Sequence, residues 1–443
     1  MAEASIEEHV EGARSTESRH WFPWSSSPRY LLAVMFLIAV FSILDRQILA
    51  ILQEDIKLDL RLTDSQLGML ALAFGFFHAA MAIPIGRLAD TRFSRKSVLA
   101  ACLALWSAAT VACGVAQGFV QLMLARLGVG AGTAGFPPTA FSIISDKFPV
   151  DRRSFAIAVC TSGFTIGMIL SMAAGGVLAE NIGWRWTLII IGIPGLLLVP
   201  LLMCTVQAPQ RGEADGASEA NKIAFLPSLK HLLHTRSYLF VVLGGATKAV
   251  AVNGILQWMP SFYIRKFDLS MAEVGLTLGP IIGIFMLSSM LVSGYLADRL
   301  GQRDLRWHPW IISITMLLNF PFIYLALVVD NYTLSLAFYA VATFMGAAMM
   351  GINNSMIQNA TSVQLRGMAT AIKTVALGIF GWGIGGALIG ILSDMNAAEG
   401  SAAGLETALV WIAVGLPLSA VVFYFSSYSY RSDCENARSL SLK

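Results

Sequence analysis

Five side chains in this sequence have a type and position that call for chemistry: Asp45, Arg46, Arg126, Lys248 and Lys373. Each is ionisable and each lies deep inside a long apolar run. A charge so placed costs several kcal/mol unless it faces a partner or a water-filled cavity, so it marks a pathway for a proton, an ion or a charged ligand. Asp45 is the single acid among four cations. Such an excess of positive charge suits an anionic group held in a cavity, while a buried acid is the kind of group that relays protons.

The stretch around Arg126, residues 119–145, reads FVQLMLARLGVGAGTAGFPPTAFSIIS. Gly128, Gly130 and Gly132 weaken a helix but let neighbouring backbones come close. Counting from the apolar ends, Asp45 lies about 12 Å along its helix from Ile51–Gln53, and Arg126 lies about as far from Gly118–Phe119. The two therefore sit at matching depth and are expected to pair. They form either a permanent ion pair that orders two helices, or a switch that lets go when Asp45 takes a proton. Burial and a neighbouring cation act on a carboxylate in opposite senses, which is what a switch needs. Arg46 is turned about 100° from Asp45 and is expected to snorkel or to reach another helix. Lys248 falls near the midplane of its run, whereas Lys373 is close enough to one end to snorkel.

Uncharged polar residues join this set. Asn253 and Gln257 share a helix face at i, i+4 spacing, and Asn353, Asn354 and Gln358 cluster in another run. Amides in spans either line a cavity or bond helix to helix. His78 is a candidate proton relay or a hydrogen-bonded structural histidine. Pro137–Pro138 and Pro260 are expected to kink their helices.

The elements that must position these residues are membrane helices. Apolar residues make up 56% and charged residues 13% of the chain, with a mean hydropathy of +0.68. A net charge of +3 over 443 residues excludes a nucleic-acid binder. Runs of about 20 apolar residues occur near 29–53, 66–88, 97–117, 119–145, 154–179, 186–206, 237–263, 273–297, 309–329, 332–358, 366–393 and 404–429. The chain thus divides into a cytoplasmic disordered tail (1–28), a six-helix bundle (29–206), a central cytoplasmic loop (207–236), a second six-helix bundle (237–429) and a short tail (430–443). Placing both termini in the cytoplasm puts 21 of the 30 Lys and Arg residues on that side, as the positive-inside rule requires. The opposite side then holds Lys57, Arg61, Arg185, Arg265 and Lys266. The N-terminus lacks a cleavable signal pattern, and Trp21, Phe22 and Trp24 are suited to the membrane interface. Five scattered cysteines and six histidines have no ligand spacing, so no metal or cofactor is expected. A nucleotide-binding loop and a nucleophile constellation are also missing, which argues against an enzyme.

Gly86-Arg87-Leu88-Ala89-Asp90 closes the second run and Gly294-Tyr295-Leu296-Ala297-Asp298 closes the eighth, each followed by basic residues. A shared Gly-x-Leu-Ala-Asp six helices apart points to two copies of one six-helix unit around a central cavity, the architecture of alternating-access transporters.

These loops resemble the Major Facilitator Superfamily motif Gly-x-x-x-Asp-Arg-x-Gly-Arg-Lys. GYLADRLGQR fits it directly, and GRLADTRFSRK fits with one extra residue, Thr91. The resemblance implies a gate at the cytoplasmic ends built from Gly86, Asp90, Arg92, Arg95, Gly294, Asp298 and Arg299. SILDRQILA, LTDSQLGML, LARLGVGAGTAG, SIISDKFP and GWRW are together similar to the bacterial spinster-like branch. That branch implies an anionic amphiphile as cargo, such as a lysophospholipid or sphingosine-1-phosphate, with protons as the coupling ion. It also implies a multi-pass protein of the bacterial inner membrane, working as a monomer. The sequence departs from the branch at Thr133, where a glutamate is usual. Proton coupling is then expected to rest on Asp45 with Arg126, and cargo binding on Arg126, Lys248, Lys373, Asn253, Gln257, Asn353 and Asn354. Two other cargo classes fit the same residues, namely small organic or sugar acids taken up with protons, and multiple drugs exported.

Overall fold

The computed structural model describes residues 27–91, 93–207, 232, 234–362 and 365–441. The expected tail segment with Trp21, Phe22 and Trp24 and most of the central loop lie outside them. Among the described residues the chain is helical, with no strand. Among the described residues, eleven helices are long and apolar enough to cross a membrane. One of these, Val150–Thr205, has 56 residues and would stretch about 80 Å, well over twice the roughly 30 Å hydrocarbon core. It is broken at Gly183, where φ is 78° and ψ is 161°. Only glycine takes that backbone readily. The chain therefore turns back there and makes two crossings, twelve in all, as the apolar runs predict.

The crossings are numbered here as spans. In the N-terminal half these are span 1 (Pro28–Leu60), span 2 (Asp64–Thr91), span 3 (Arg95–Val115), span 4 (Phe119–Thr133 continued by Phe136–Lys147), and spans 5 and 6 on either side of Gly183. In the C-terminal half they are span 7 (Arg236–Phe267), span 8 (Met271–Gly301), span 9 (Trp307–Val328) and span 10 (Tyr332–Ala347 continued by Met349–Ala360). Span 11 runs from Arg366 to Met395, and span 12 is Ser401–Ala413 continued by Gly415–Ser441. Span 1 begins, and span 12 ends, on the terminal face. The opposite one is the distal face.

Several features depart from the plain reading of the apolar runs. Span 1 continues past its apolar run to Leu60, so Asp45 lies about 22 Å, not 12 Å, from the helix end. The added turns carry Glu54 and Lys57, which find partners beyond the apolar zone. Spans 4 and 10, equivalent in the two halves, are both interrupted near their middles. In span 4 the break precedes Pro137, which has no N–H to continue a helix. Span 7 runs through Pro260 as one helix. Span 11 carries a π-helical segment, Gly378–Ile384, between two α-helical ones.

The halves meet along span 2 against span 11 and span 5 against span 8. Glycines set both seams. A methyl at Gly75 would stand 2.6 Å from the Gly383 backbone N, and one at Gly68 would stand 2.8 Å from the Ala387 Cα. Polar bonds between the halves gather at the distal face. Arg265 on span 7 grips Glu54 at 2.8 and 2.9 Å and Asp64 at 2.7 and 2.8 Å. Ser393 donates to Asp64 at 2.6 Å. The apolar core follows the same pattern. One buried cluster includes Ile48, Leu70, Trp258 and Ile389 and so joins the halves. A second, with Met35, Leu99, Phe136 and Leu202, belongs to the N-terminal half alone and occupies its terminal end. Space is open beside Gly86, Gly294 and Gly367 at that end. Among the described residues the polar joins between the halves are thus distal.

Replacing Gly75 with valine should force span 2 off span 11, at a cost of about 1–3 kcal/mol as for other overpacked sites. A drop of several degrees in the thermal unfolding midpoint of the purified protein is expected; an unchanged midpoint would mean the seam is loose.

Candidate functional site

Spans 1, 2, 3, 4 and 11 converge on a charged cluster. Asp45 on span 1 is fully buried, and neither carboxylate oxygen has a hydrogen-bond partner among the described residues. Its polar neighbours are the Arg126 guanidinium and the Trp106 indole, yet the indole N–H is itself unpartnered. Among the described residues no ion pair within 4.0 Å joins Asp45 to Arg126. The expected pair thus shares a neighbourhood but is not engaged. Arg126, on span 4, is 4% exposed and donates through Nη2 to the Arg46 carbonyl at 3.3 Å. That bond puts spans 1 and 4 at the common depth expected from sequence. Its Nε remains unpartnered.

Aromatic rings take the place of counter-ions here. The Phe74 ring on span 2 lies 5.2 Å from the Arg126 guanidinium and 5.3 Å from that of Arg46. The Arg46 guanidinium also lies 3.9 Å from the Trp382 ring on span 11. Arg46 therefore reaches another helix, one that belongs to the other half. A cation over a ring gains about 0.5–2 kcal/mol, more where water is excluded. That offsets part of the burial cost, while the Nε of each arginine has no hydrogen-bond partner among the described residues. Trp382 sits in the π-helical segment, a local form that recurs at functional sites.

His78 and Thr133 form a second link in the cluster. His78 Nδ1 and Thr133 Oγ1 are 3.2 Å apart, and the His78 ring stacks on Phe74 at 5.7 Å. Thr133 also donates back to the Val129 carbonyl at 2.8 Å. The position where the resemblance expects a glutamate thus lies against a histidine and one helical step from the arginines' ring.

The C-terminal half supplies two lysines. Lys248 on span 7 is 8% exposed and makes no hydrogen bond or ion pair among the described residues. Lys373 on span 11 is 9% exposed and donates to the Asn354 side-chain carbonyl, so it is held in the bundle and does not reach the terminal face. Asn353 is buried with its whole amide unpartnered and lies against Gly245, one turn from Lys248. Asn253 and Gln257 lie against Gly381 and Gly386 of span 11, in the seam between spans 7 and 11. Orphaned amide and ammonium groups at this depth are costly and call for an explanation.

Among the described residues, those expected to form a cytoplasmic gate make no bond across the halves. Arg95 pairs with Asp146 of its own half, and Arg299 bonds Tyr295 on its own helix at 2.9 Å. Asp298 is exposed. Arg92 and the side chain of Asp90 lie outside the described residues. Sequence reasoning missed the rings Phe74, Trp106 and Trp382, which look like ordinary apolar residues in apolar runs. It also missed Glu54, Asp64 and Arg265, which look like loop charges until the fold brings them together.

Comparison with known proteins bears on the family and the fold. The sequence model of the Major Facilitator Superfamily matches residues 35–388. The chain is 33% identical over 411 residues to an MFS-type efflux pump of Mycolicibacterium smegmatis, covering 92% of this chain and 94% of that one. It is 25% identical over 330 residues to the sphingosine-1-phosphate transporter SPNS2 of Danio rerio, covering 71% of this chain and 65% of the relative. Among solved structures, a bacterial homologue of the human lysosomal transporter spinster, in an inward-facing and unoccupied conformation, superposes with a TM-score of 0.83 at 24% identity. That match covers 92% of this chain and 98% of the other.

The unpartnered carboxylate leads to a stability test. A buried charge with no hydrogen bond weakens a fold, and an apolar residue of similar volume is often neutral or stabilising by about 1–4 kcal/mol. Asp45→Leu is expected to keep or raise the thermal midpoint while ending function. A fall of several degrees would mean that Asp45 holds the helices together.

Proposed function

Because this chain belongs to the Major Facilitator Superfamily, and within it to the spinster-like membrane transporters rather than to any enzyme class, we propose that it moves an anionic amphiphile by alternating access, coupled to protons through Asp45 and Arg126. The terminal face is the cytoplasmic one, as the distribution of basic residues favours. The structure then corresponds to an inward-open state, closed distally by Arg265 and its acids. The observation that carries the reading is the central charge pattern: Arg46, Arg126, Lys248 and Lys373 around a single acid, Asp45, whose carboxylate is unpartnered.

The coupling follows from competition for Arg126. An ionised Asp45 draws the guanidinium to itself. A protonated Asp45 leaves it free, as it stands here, to bind an anionic head group. Conversely, a head group on Arg126 removes the counter-ion of Asp45 and favours its protonation. Proton and anion therefore assist each other's binding, by the same factor in both directions. Lys248 on span 7 and Lys373 on span 11 extend the positive region into the C-terminal half, so a head group bridging Arg126 and Lys248 would touch both halves. The apolar remainder of the cargo would lie among the aromatic and methionine side chains of the cavity wall. No separate cofactor has a part in this scheme. The similarity to an efflux pump favours export of varied amphiphiles as a second reading, and small organic or sugar acids are the third.

In proteoliposomes, binding of a lysophospholipid such as lysophosphatidic acid should tighten as pH falls, by about tenfold or 1.4 kcal/mol across the titration of Asp45. Asp45→Asn should bind at the tight limit at every pH and lose proton-driven transport. Binding that weakens on acidification, or transport by Asp45→Asn that still follows the proton gradient, would overturn the coupling. Competition by a hexuronate but not by the lysolipid would move the cargo to the sugar acids. Competition by uncharged or cationic drugs would move it to multidrug export.

Thr133→Glu is expected to leave the coupling in place, since Asp45 suffices. A several-fold rise in proton-driven transport would instead make position 133 a second proton site.

A further inference from the structure

Two helix N-termini at the distal face are capped by carboxylates that come from the opposite half. Span 2 opens with Asp64 and Ser65, whose backbone N–H groups donate to the two oxygens of Asp394 at 3.1 and 2.8 Å. Asp394 stands at the distal end of span 11. Span 8, the counterpart of span 2, opens with Met271 and Ala272, and the Ala272 N–H donates to Glu180 at 3.1 Å. Glu180 stands at the distal end of span 5, the counterpart of span 11. The two crossings are thus related by the internal repeat: span 11 caps span 2, and span 5 caps span 8.

The surrounding residues repeat as well. Leu62-Thr63-Asp64-Ser65-Gln66-Leu67-Gly68 opens span 2, and Leu269-Ser270-Met271-Ala272-Glu273-Val274-Gly275 opens span 8. In each, the hydroxyl residue and the residue three further on form a reciprocal cap. Thr63 and Gln66 bond at 3.0 and 3.2 Å, and Ser270 and Glu273 do so at 3.0 and 3.2 Å. Each helix therefore supplies a partner for its own third amide and takes a partner from the other half, for its first two amides in span 2 and for its second in span 8. Gly68 lies against the backbone of span 11, and Gly275 lies against that of span 5. On the donor side the pattern is Gly-x-x-x-acid. Gly390 and Asp394 make one copy, Gly176 and Glu180 the other. A methyl at Gly390 would collide with the Asp64 carbonyl, and one at Gly176 with the Met271 carbonyl. Both glycines are what let the acid reach the amides.

We propose that these two crossings are a duplicated latch that holds the distal gate shut, with Asp394 and Glu180 as its positioning residues. A helix N-terminus presents unpaired N–H groups and a partial positive charge, and a carboxylate there makes charge-assisted bonds. Because each bond spans the halves, neither survives their separation. When the gate opens, each helix keeps its own reciprocal cap and loses only the borrowed one, so the helices stay intact while the contact is broken. The copies differ in strength. Asp394 holds two amides, and Asp64 beside it is further tied by Arg265, Lys57 and Ser393. Glu180 holds one amide. The Asp394 side is the stronger detent and the Glu180 side yields more easily.

The test is a distance measurement on the full chain. Spin labels at Leu58 on span 1 and Leu334 on span 10, exposed positions at the distal ends of the two halves, report separation of the gate in a variant without native cysteines. The unmodified latch should give a single, short distance. Asp394→Ala with Glu180→Ala should add a longer-distance population of about a third or more, with Asp394→Ala alone giving the larger share of the effect. If the double variant does not fold, Asp394→Asn with Glu180→Gln keeps the shape and one acceptor but removes the charges, and a smaller shift in the same direction is expected. Asp394→Glu, which restores the charge on a longer stem, should return part of the short-distance population. An unchanged distance distribution in a folded double variant of either kind, or an equal shift from any exposed distal acid such as Asp330, would overturn the latch.

Discussion

A charge in a low-dielectric interior has to be answered by something, and in this protein the answer differs from site to site. At the distal face Arg265 is answered by two carboxylates at hydrogen-bond distance. In the centre the answer is weaker. Arg46 and Arg126 rest on aromatic rings, while Lys248, the Asn353 amide and Asp45 have no partner among the described residues. Polar groups are therefore paired at the distal face and left unpaired in the centre.

The rings matter for selectivity as much as for stability. A carboxylate partner would neutralise an arginine and compete with an incoming anion. Phe74 and Trp382 lie close to the guanidinium groups without neutralising them. Trp382 also couples the halves, since it belongs to the C-terminal bundle and the arginine to the N-terminal one. A ligand that draws Arg46 away from this ring acts on the contact between the halves and on its own site at the same time.

Much of this is legible in the sequence, because the bilayer imposes long-range physical rules that act on single residues. The twelve runs, the five deep charges and the Gly-x-Leu-Ala-Asp repeat all follow from hydropathy and spacing, and the shared depth of Asp45 and Arg126 follows from helix rise. Other features depend on pairings that no single run contains. Arg265, Asp64 and Glu54 read as solvated loop charges until spans 1, 2 and 7 end side by side. The apolar run underestimates the length of span 1 because its last turns are polar and find partners on spans 2, 6 and 7. The π-helical turn in span 11 has no signature beyond its glycines, which serve equally well for close packing. The repeat at the openings of spans 2 and 8 is present in the letters, but its meaning comes from what each helix leans on.

The π-helical segment has a consequence for the ancestry of the two halves. A π turn holds more residues than an α turn, so a residue inserted into an α-helix can be absorbed as such a bulge without turning the rest of the helix to a new face. Span 11 carries Gly378–Ile384 in this form, yet beyond it Gly390 and Asp394 still point at span 2 as Gly176 and Glu180 point at span 8. A bulge of this kind would let one copy of the duplicated unit absorb extra length while its two ends keep their partners. An alignment of the two halves should therefore open a gap inside span 11, at the level of Trp382, and close it again before Gly390.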